Sequence, residues 1–152
     1  MTFILANSSI GGKTIGYINT HINEEITINE LTKHFFYNKT YLMKKFKKET
    51  GNTISEYINK KRILESINEL INTDDKILKI ALKNGFNSAE YYSEMFLRYI
   101  GCSPTTFKKI LENKFIGDID VKQIRKNFDN LSQEILNLEP EKQKVLKKER
   151  NK

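Results

Sequence analysis

The sequence predicts an all-α protein: two helix-turn-helix subdomains joined by a long linker helix, plus a C-terminal helical extension. Three observations carry this expectation. An internal repeat aligns Ile28, Leu31 and Thr32 with Ile77, Ile80 and Ala81 at an offset of 49, and Leu42, Phe46, Gly51, Thr53 and Tyr57 with Tyr92, Phe96, Gly101, Ser103 and Phe107 at an offset of 50. The change of offset falls in a turn, between Phe36-Tyr37-Asn38 and Gly85-Phe86-Asn87-Ser88, where an added residue leaves the helices in packing phase. Capping residues precede the apolar-periodic runs, and no segment reads as a strand.

Each element follows from local chemistry. Residues 15 to 25, with Tyr17, Ile18 and Ile22, read as an opening helix packed on the first unit. Thr27 with Glu30 three residues on forms a capping box that opens a helix through Phe35. Asn38 caps the next helix, Lys39 to Thr50, whose apolar Leu42 and Phe46 stand one turn apart and which Gly51 stops. Asn52-Thr53 with Glu56 repeats the capping box and opens a long helix, about residues 53 to 72, with Ile54, Tyr57, Ile58, Ile67, Leu70 and Ile71 on its apolar side. In the second copy Asp74 or Asp75 opens a helix through Lys83, Gly85 supplies the turn, and Asn87 or Ser88 opens a helix that ends at Gly101. Ser103-Pro104 then places a cap and a first-turn proline at the head of a helix through about Lys114. Beyond Gly117-Asp118 a further helix runs from Val121 to Leu138. Its apolar Ile124, Phe128, Leu131, Ile135 and Leu138 step by four, three, four and three residues. Pro140 ends it, ahead of a tail rich in Lys and Glu. The domain organisation is therefore a lead over 1–14, the tandem unit over 15–115 and the extension over 116–152.

Composition narrows the function classes. The 152 residues are 38% hydrophobic, enough to bury a core without covalent staples. One cysteine, Cys102, excludes an internal disulfide, and with two histidines it leaves too few soft ligands for a structural zinc site. No metal and no cofactor is expected. No apolar run reaches the roughly 20 residues that span a bilayer, and the start lacks a basic region followed by an apolar run, so a cytoplasmic, nucleoid-associated protein is expected. A net charge of +7 favours a polyanionic partner. No nucleophile, base and orienting group recur in a recognisable arrangement, so no enzymatic activity is expected.

Phe36-Tyr37-Asn38-Lys39-Thr40-Tyr41-Leu42, followed by Phe46-Lys47-Lys48-Glu49-Thr50-Gly51, resembles the first recognition helix of the AraC/XylS family of bacterial regulators. Ile77 through Ala81, then Gly85-Phe86, Tyr92, Phe96, Gly101, Ser103-Pro104 and Phe107, is similar to the family's C-terminal signature. The resemblance covers roughly residues 15 to 115. It implies a transcription regulator of double-stranded promoter or operator DNA, whose two recognition helices enter successive major-groove segments about 10 base pairs apart. The base-facing positions it implies are Thr40, Met43 and Lys44 in the first unit, and Ala89, Glu90, Ser93 and Glu94 in the second. Lys44 can donate to guanine O6 or N7, and Thr40 and Met43 offer apolar contact to a thymine methyl. Lys39, Lys45, Lys47 and Lys48, with Arg98 in the second unit, are the expected phosphate contacts. Glu94 departs from the family pattern, which more often has a basic or neutral donor there, so the first unit is expected to dominate affinity.

Blander readings stand beside these. Leu31, Leu42, Phe46, Ile80, Phe86, Phe96 and Phe107 read as core, and His21 and His34 as helix-surface residues. Cys102 reads as a small buried residue rather than a redox sensor. The run of lysines from 44 to 48 also fits an ordinary solvated helix face. A protein-interaction adaptor is the alternative function, drawn from the acidic recognition helix of the second unit, with Glu90 and Glu94, and from the heptad-like extension. That extension either forms a homodimer through residues 121 to 138, docks on a partner such as RNA polymerase, or folds back over its own domain. The DNA-repair methyl acceptors that share this helix-turn-helix domain need more cysteines, and the sensor domain of longer family members has no counterpart here.

Overall fold

The computed structural model describes residues 9–114 and 117–139, and all the regular structure among them is helical. The helices are α1 (Ile10–Thr20), α2 (Ile28–Phe35), α3 (Lys39–Thr50), α4 (Ile54–Asn72), α5 (Ile77–Lys83), α6 (Ala89–Ile100), α7 (Pro104–Leu111) and α8 (Val121–Asn137). They divide between two compact units. The first takes residues up to Ile58 and those from Glu134 onward, and the second is Asn59–Gln133. Each holds one helix-turn-helix, α2–α3 in the first and α5–α6 in the second.

In the first unit the capping chemistry sets the boundaries. Thr27 Oγ1 accepts from Glu30 N at 3.1 Å, and Asn38 Oδ1 accepts from Thr40 N at 2.9 Å and Tyr41 N at 3.3 Å. The box at α4 is reciprocal: Glu56 N donates to Thr53 Oγ1 at 3.0 Å and Thr53 N to Glu56 Oε2 at 3.4 Å. Ile15, Ile18, Leu31, Leu42, Phe46, Tyr57 and Ile135 are buried, each contributing about 1.5–3 kcal/mol by leaving water. Tyr57 OH donates to Asn19 Oδ1 at 3.0 Å and lies 3.3 Å from the buried carboxylate of Glu139. The opening helix starts five residues earlier than the sequence suggests. Ser9 caps it by accepting from Gly12 N at 3.0 Å, and Gly11 N donates to Glu49 Oε2 at 3.3 Å.

The second unit packs Ile63, Ile67, Leu70, Ile80, Phe86, Tyr92, Phe96 and Phe107 with Ile124 and Leu131. Ser88, of the two candidates, caps α6, accepting from Tyr91 N at 3.0 Å. The expected acidic cap at the start of α5 is not formed. Lys76 occupies the N-cap position without a side-chain hydrogen bond, while Asp75 pairs with Lys79 at 3.2 Å and Asp74 with Lys108 at 3.2 Å. α7 is also shorter than expected: Asn113 turns left-handed at φ 57, and Lys114 N closes on Lys109 O at 2.9 Å.

The extension folds back. Ile124 and Leu131 are buried in the second unit, Phe128 packs on Phe107 with ring centroids 5.6 Å apart, and Asn127 Nδ2 donates to Ile100 O at 2.9 Å. In the first unit Ile135 is buried and Glu134 Oε1 accepts from Asn52 Nδ2 at 3.4 Å. The apolar stripe behind the dimer and partner expectations is thus covered by the chain itself, the third of the outcomes open to it. The stop at Pro140 and the charged tail lie outside the described residues.

The repeat supplies its own control for this packing. Gly51 and Gly101 both end the second helix of their unit at positive φ, 76 and 99. A Cβ on Gly51 meets nothing within 4 Å, whereas one on Gly101 stands 3.0 Å from Asn127 Nδ2 and 3.0 Å from Ile124 Cδ1, both on α8. Gly51→Ala is expected to cost about 1–2 kcal/mol through the backbone alone. Gly101→Ala should cost about 1–3 kcal/mol more by overpacking α8. Chemical denaturation of the two variants checks this, and equal losses would show that α8 does not press on Gly101 in solution.

Candidate nucleic-acid interface

The face of α3 is decided by its anchors. Leu42 and Phe46 are fully buried one turn apart, which turns Thr40, Met43 and Lys44 outward together, at the i, i+3, i+4 spacing of one helical face. All three are exposed. Lys39, Lys44 and Lys48 are exposed and Lys45 half-buried; none of the four makes an ion pair or side-chain hydrogen bond among the described residues. Lys47 differs. Its Nζ donates to Gly51 O at 3.1 Å, closing the helix end, and lies 3.9 Å from Glu56 Oε2. It is held within its own unit and is less available to a phosphate than its neighbours.

α6 is built more tightly and presents less. Tyr92, Met95, Phe96 and Ile100 are buried, and Tyr92 OH shares a 2.7 Å hydrogen bond with Ser66 Oγ of α4. Burial pushes the Tyr92 phenol up to about 12, so this bond is made by the neutral hydroxyl over the whole physiological range. Of the residues expected to face bases, Glu90 and Glu94 are exposed and Ala89 and Ser93 half-buried. Arg98 lies 3.7 Å from Glu94, one turn away, so the cation expected at phosphates is shared with an acid on its own helix. Asn59 Nδ2 donates to Tyr91 OH at 2.9 Å, tying the start of α6 to α4.

The turns differ in one informative way. In the second unit Gly85 carries the left-handed backbone, at φ 86; in the first the residue in that conformation is Phe36, at φ 60, and its side chain is 93% exposed. Helical periodicity finds neither property, but the change of offset in the repeat marks the place, because it sets Phe36 against Gly85. On α3 Tyr41 is 51% exposed, its ring 5.9 Å from that of Tyr37, and Met43 is 43% exposed. Behind them Tyr17 stacks on His21 at 4.2 Å and lies 4.6 Å from His34, which places both histidines among aromatic side chains.

Cys102 is buried, and burial pushes its thiol up to about 11, the direction opposite to an activated thiolate. Among the described residues no cluster of three or more His, Cys, Asp and Glu could hold a metal ion, and no helix is long and apolar enough to cross a membrane.

Two helix-turn-helix units in tandem, one exposing a lysine-rich helix, define the class: a tandem helix-turn-helix domain of the kind found in transcription regulators. A family profile for a helix-turn-helix domain matches residues 31–110. The chain is 31% identical over 101 residues to the transcriptional activator AarP of Providencia stuartii, matching 66% of this chain and 75% of that protein. It is 32% identical over 100 residues to the melibiose operon regulatory protein of Escherichia coli, of which the match spans only 33%. The DNA-binding domain of AdpA, a global transcriptional factor solved with a target DNA, superposes with a TM-score of 0.64 at 19% identity, over 70% of this chain and 96% of that one. The chain belongs to the AraC family of helix-turn-helix transcription regulators. That family is a class of regulators and not of enzymes.

Proposed function

We propose that the protein binds duplex promoter or operator DNA sequence-specifically and regulates transcription there, in the cytoplasm on the nucleoid. The observation that carries this is α3, where Thr40, Met43 and Lys44 share one exposed face flanked by Lys39, Lys45 and Lys48, none of them paired among the described residues. An exposed donor beside apolar groups suits base edges in a major groove, and lysines at the margins suit phosphates. α6 contributes less, through Ala89, Glu90, Ser93 and Glu94, because its one flanking cation is paired with Glu94. With the stripe on α8 covered, a homodimer through 121–138 and an RNA polymerase contact at that stripe lose their support, and the chain acts as a monomer on an asymmetric site.

Two substitutions test the division of labour. Lys44→Ala is expected to weaken operator binding by about 1 kcal/mol, below the 1–3 kcal/mol of a bidentate base contact because one lysine donates singly. Glu94→Arg removes an acid near the phosphates and adds a donor, so it should tighten binding to most duplexes. Titrations against a selected operator and a scrambled duplex at one salt concentration measure both. A neutral Lys44→Ala together with loss of operator binding in Glu94→Arg would instead make Glu94 the reader, accepting from cytosine N4. No binding of any duplex by the intact chain would leave the adaptor reading, which the acidic face of α6 favours.

A further inference from the structure

We infer that Phe36 is a DNA-contacting residue that reads thymine, its ring packing on a 5-methyl group at the edge of the subsite bound by α3. This rests on the DNA-binding reading above and adds to it a residue outside the base-facing set. The left-handed backbone is needed at this turn, since both copies of the unit adopt it, at φ 60 in Phe36 and φ 86 in Gly85. Glycine meets that need without steric cost, and a bulky side chain does so badly. The folding of the turn therefore does not ask for a phenyl ring.

Nor does packing ask for it. The ring is 93% exposed, whereas Phe35 and Tyr37 on either side both take part in the aromatic cluster of the first unit. A strained backbone holding a solvated aromatic is the kind of outlier from which a functional role is argued. Its position names the partner: Phe36 stands two residues before the N-cap of α3, whose first turns carry the exposed Lys39 and Lys44. Charge complementarity selects a polyanion over an apolar protein groove, and the methyl of thymine is the apolar group that duplex DNA offers in its major groove.

The test couples a variant to a base change in the full chain. Phe36→Gly should keep or raise the thermal midpoint, since it removes the strain, yet bind a selected operator about three- to tenfold more weakly. Phe36→Leu, which keeps apolar bulk, should retain most of the affinity. Replacing thymines of the α3 subsite one at a time by deoxyuridine should weaken the wild type at one position and leave Phe36→Gly unaffected there. Equal operator affinities for wild type and Phe36→Gly would overturn the inference, as would a loss in Phe36→Gly that persists unchanged on every deoxyuridine duplex. Failure of the wild-type chain to bind any duplex would count against the DNA-binding reading itself.

Discussion

A chain ended at Lys114 is expected to lose its cooperative thermal transition, or to melt far below the full chain. Removing α8 strips Ile124 and Leu131 from the core of the second unit and Phe128 from the ring of Phe107, and takes Ile135 out of the first. At about 1.5–3 kcal/mol for each fully buried side chain the loss exceeds roughly 5 kcal/mol. That is comparable to the whole stability of an ordinary domain, about 5–15 kcal/mol. It also breaks the hydrogen bonds of Asn127 to Ile100 O and of Tyr57 to Glu139. Circular dichroism melts with sedimentation check this. A truncated monomer with an unchanged melting temperature would mean that α8 is an appendage, and a full chain that sediments as a dimer would reopen the partner role.

Affinity for operator DNA is expected to fall about 40-fold between 50 and 200 mM salt. Among the described residues Lys39, Lys45 and Lys48 are the phosphate-facing cations of α3 without intramolecular partners, and each phosphate neutralised contributes about 0.9 to the logarithmic slope against salt. Three such contacts give a slope near −2.7 and, over a fourfold change in salt, about a 40-fold loss. Lys48→Ala should reduce the slope by about 1, whereas Lys47→Ala, whose ammonium closes the end of α3 at Gly51 O, should change it less. Fluorescence anisotropy across a salt series measures both, and a flat response would mean that the lysines are only a solvated face.

The parts of the fold that were legible are those written in short-range chemistry. Thr27 with Glu30, Asn38, Thr53 with Glu56, and Ser103-Pro104 each state a helix start within four residues, and each start stands where its cap places it. α1 and α5 were misread for the converse reason. Ser9 holds a start that lies ahead of the apolar run of Tyr17, Ile18 and Ile22, and α5 begins at a lysine with no capping side chain, its nearby aspartates being engaged by Lys79 and Lys108. The apolar stepping of α8 was visible, but its cover was not, because a stripe has the same period whether its own chain or another lies against it.

The candidate interface divides the same way. Residue type and spacing were enough to set Thr40, Met43 and Lys44 on one exposed face. They were not enough to separate Lys47 from Lys48, or to show Arg98 beside Glu94, since those distinctions depend on where flexible side chains settle. Phe36 escaped because a dihedral angle leaves no trace in hydrophobic periodicity; only its alignment with a glycine in the second copy hinted at it.

The first unit is not contiguous in the chain, taking its last contributions from Glu134 onward, while Asn59–Gln133 is an unbroken stretch. During synthesis, which runs from the N-terminus at about 5–20 residues per second, the second unit has all its residues before the first has its own. The unit begun first by the ribosome is the last to be completed: its Tyr57 waits for Glu139, and its Asn52 for Glu134.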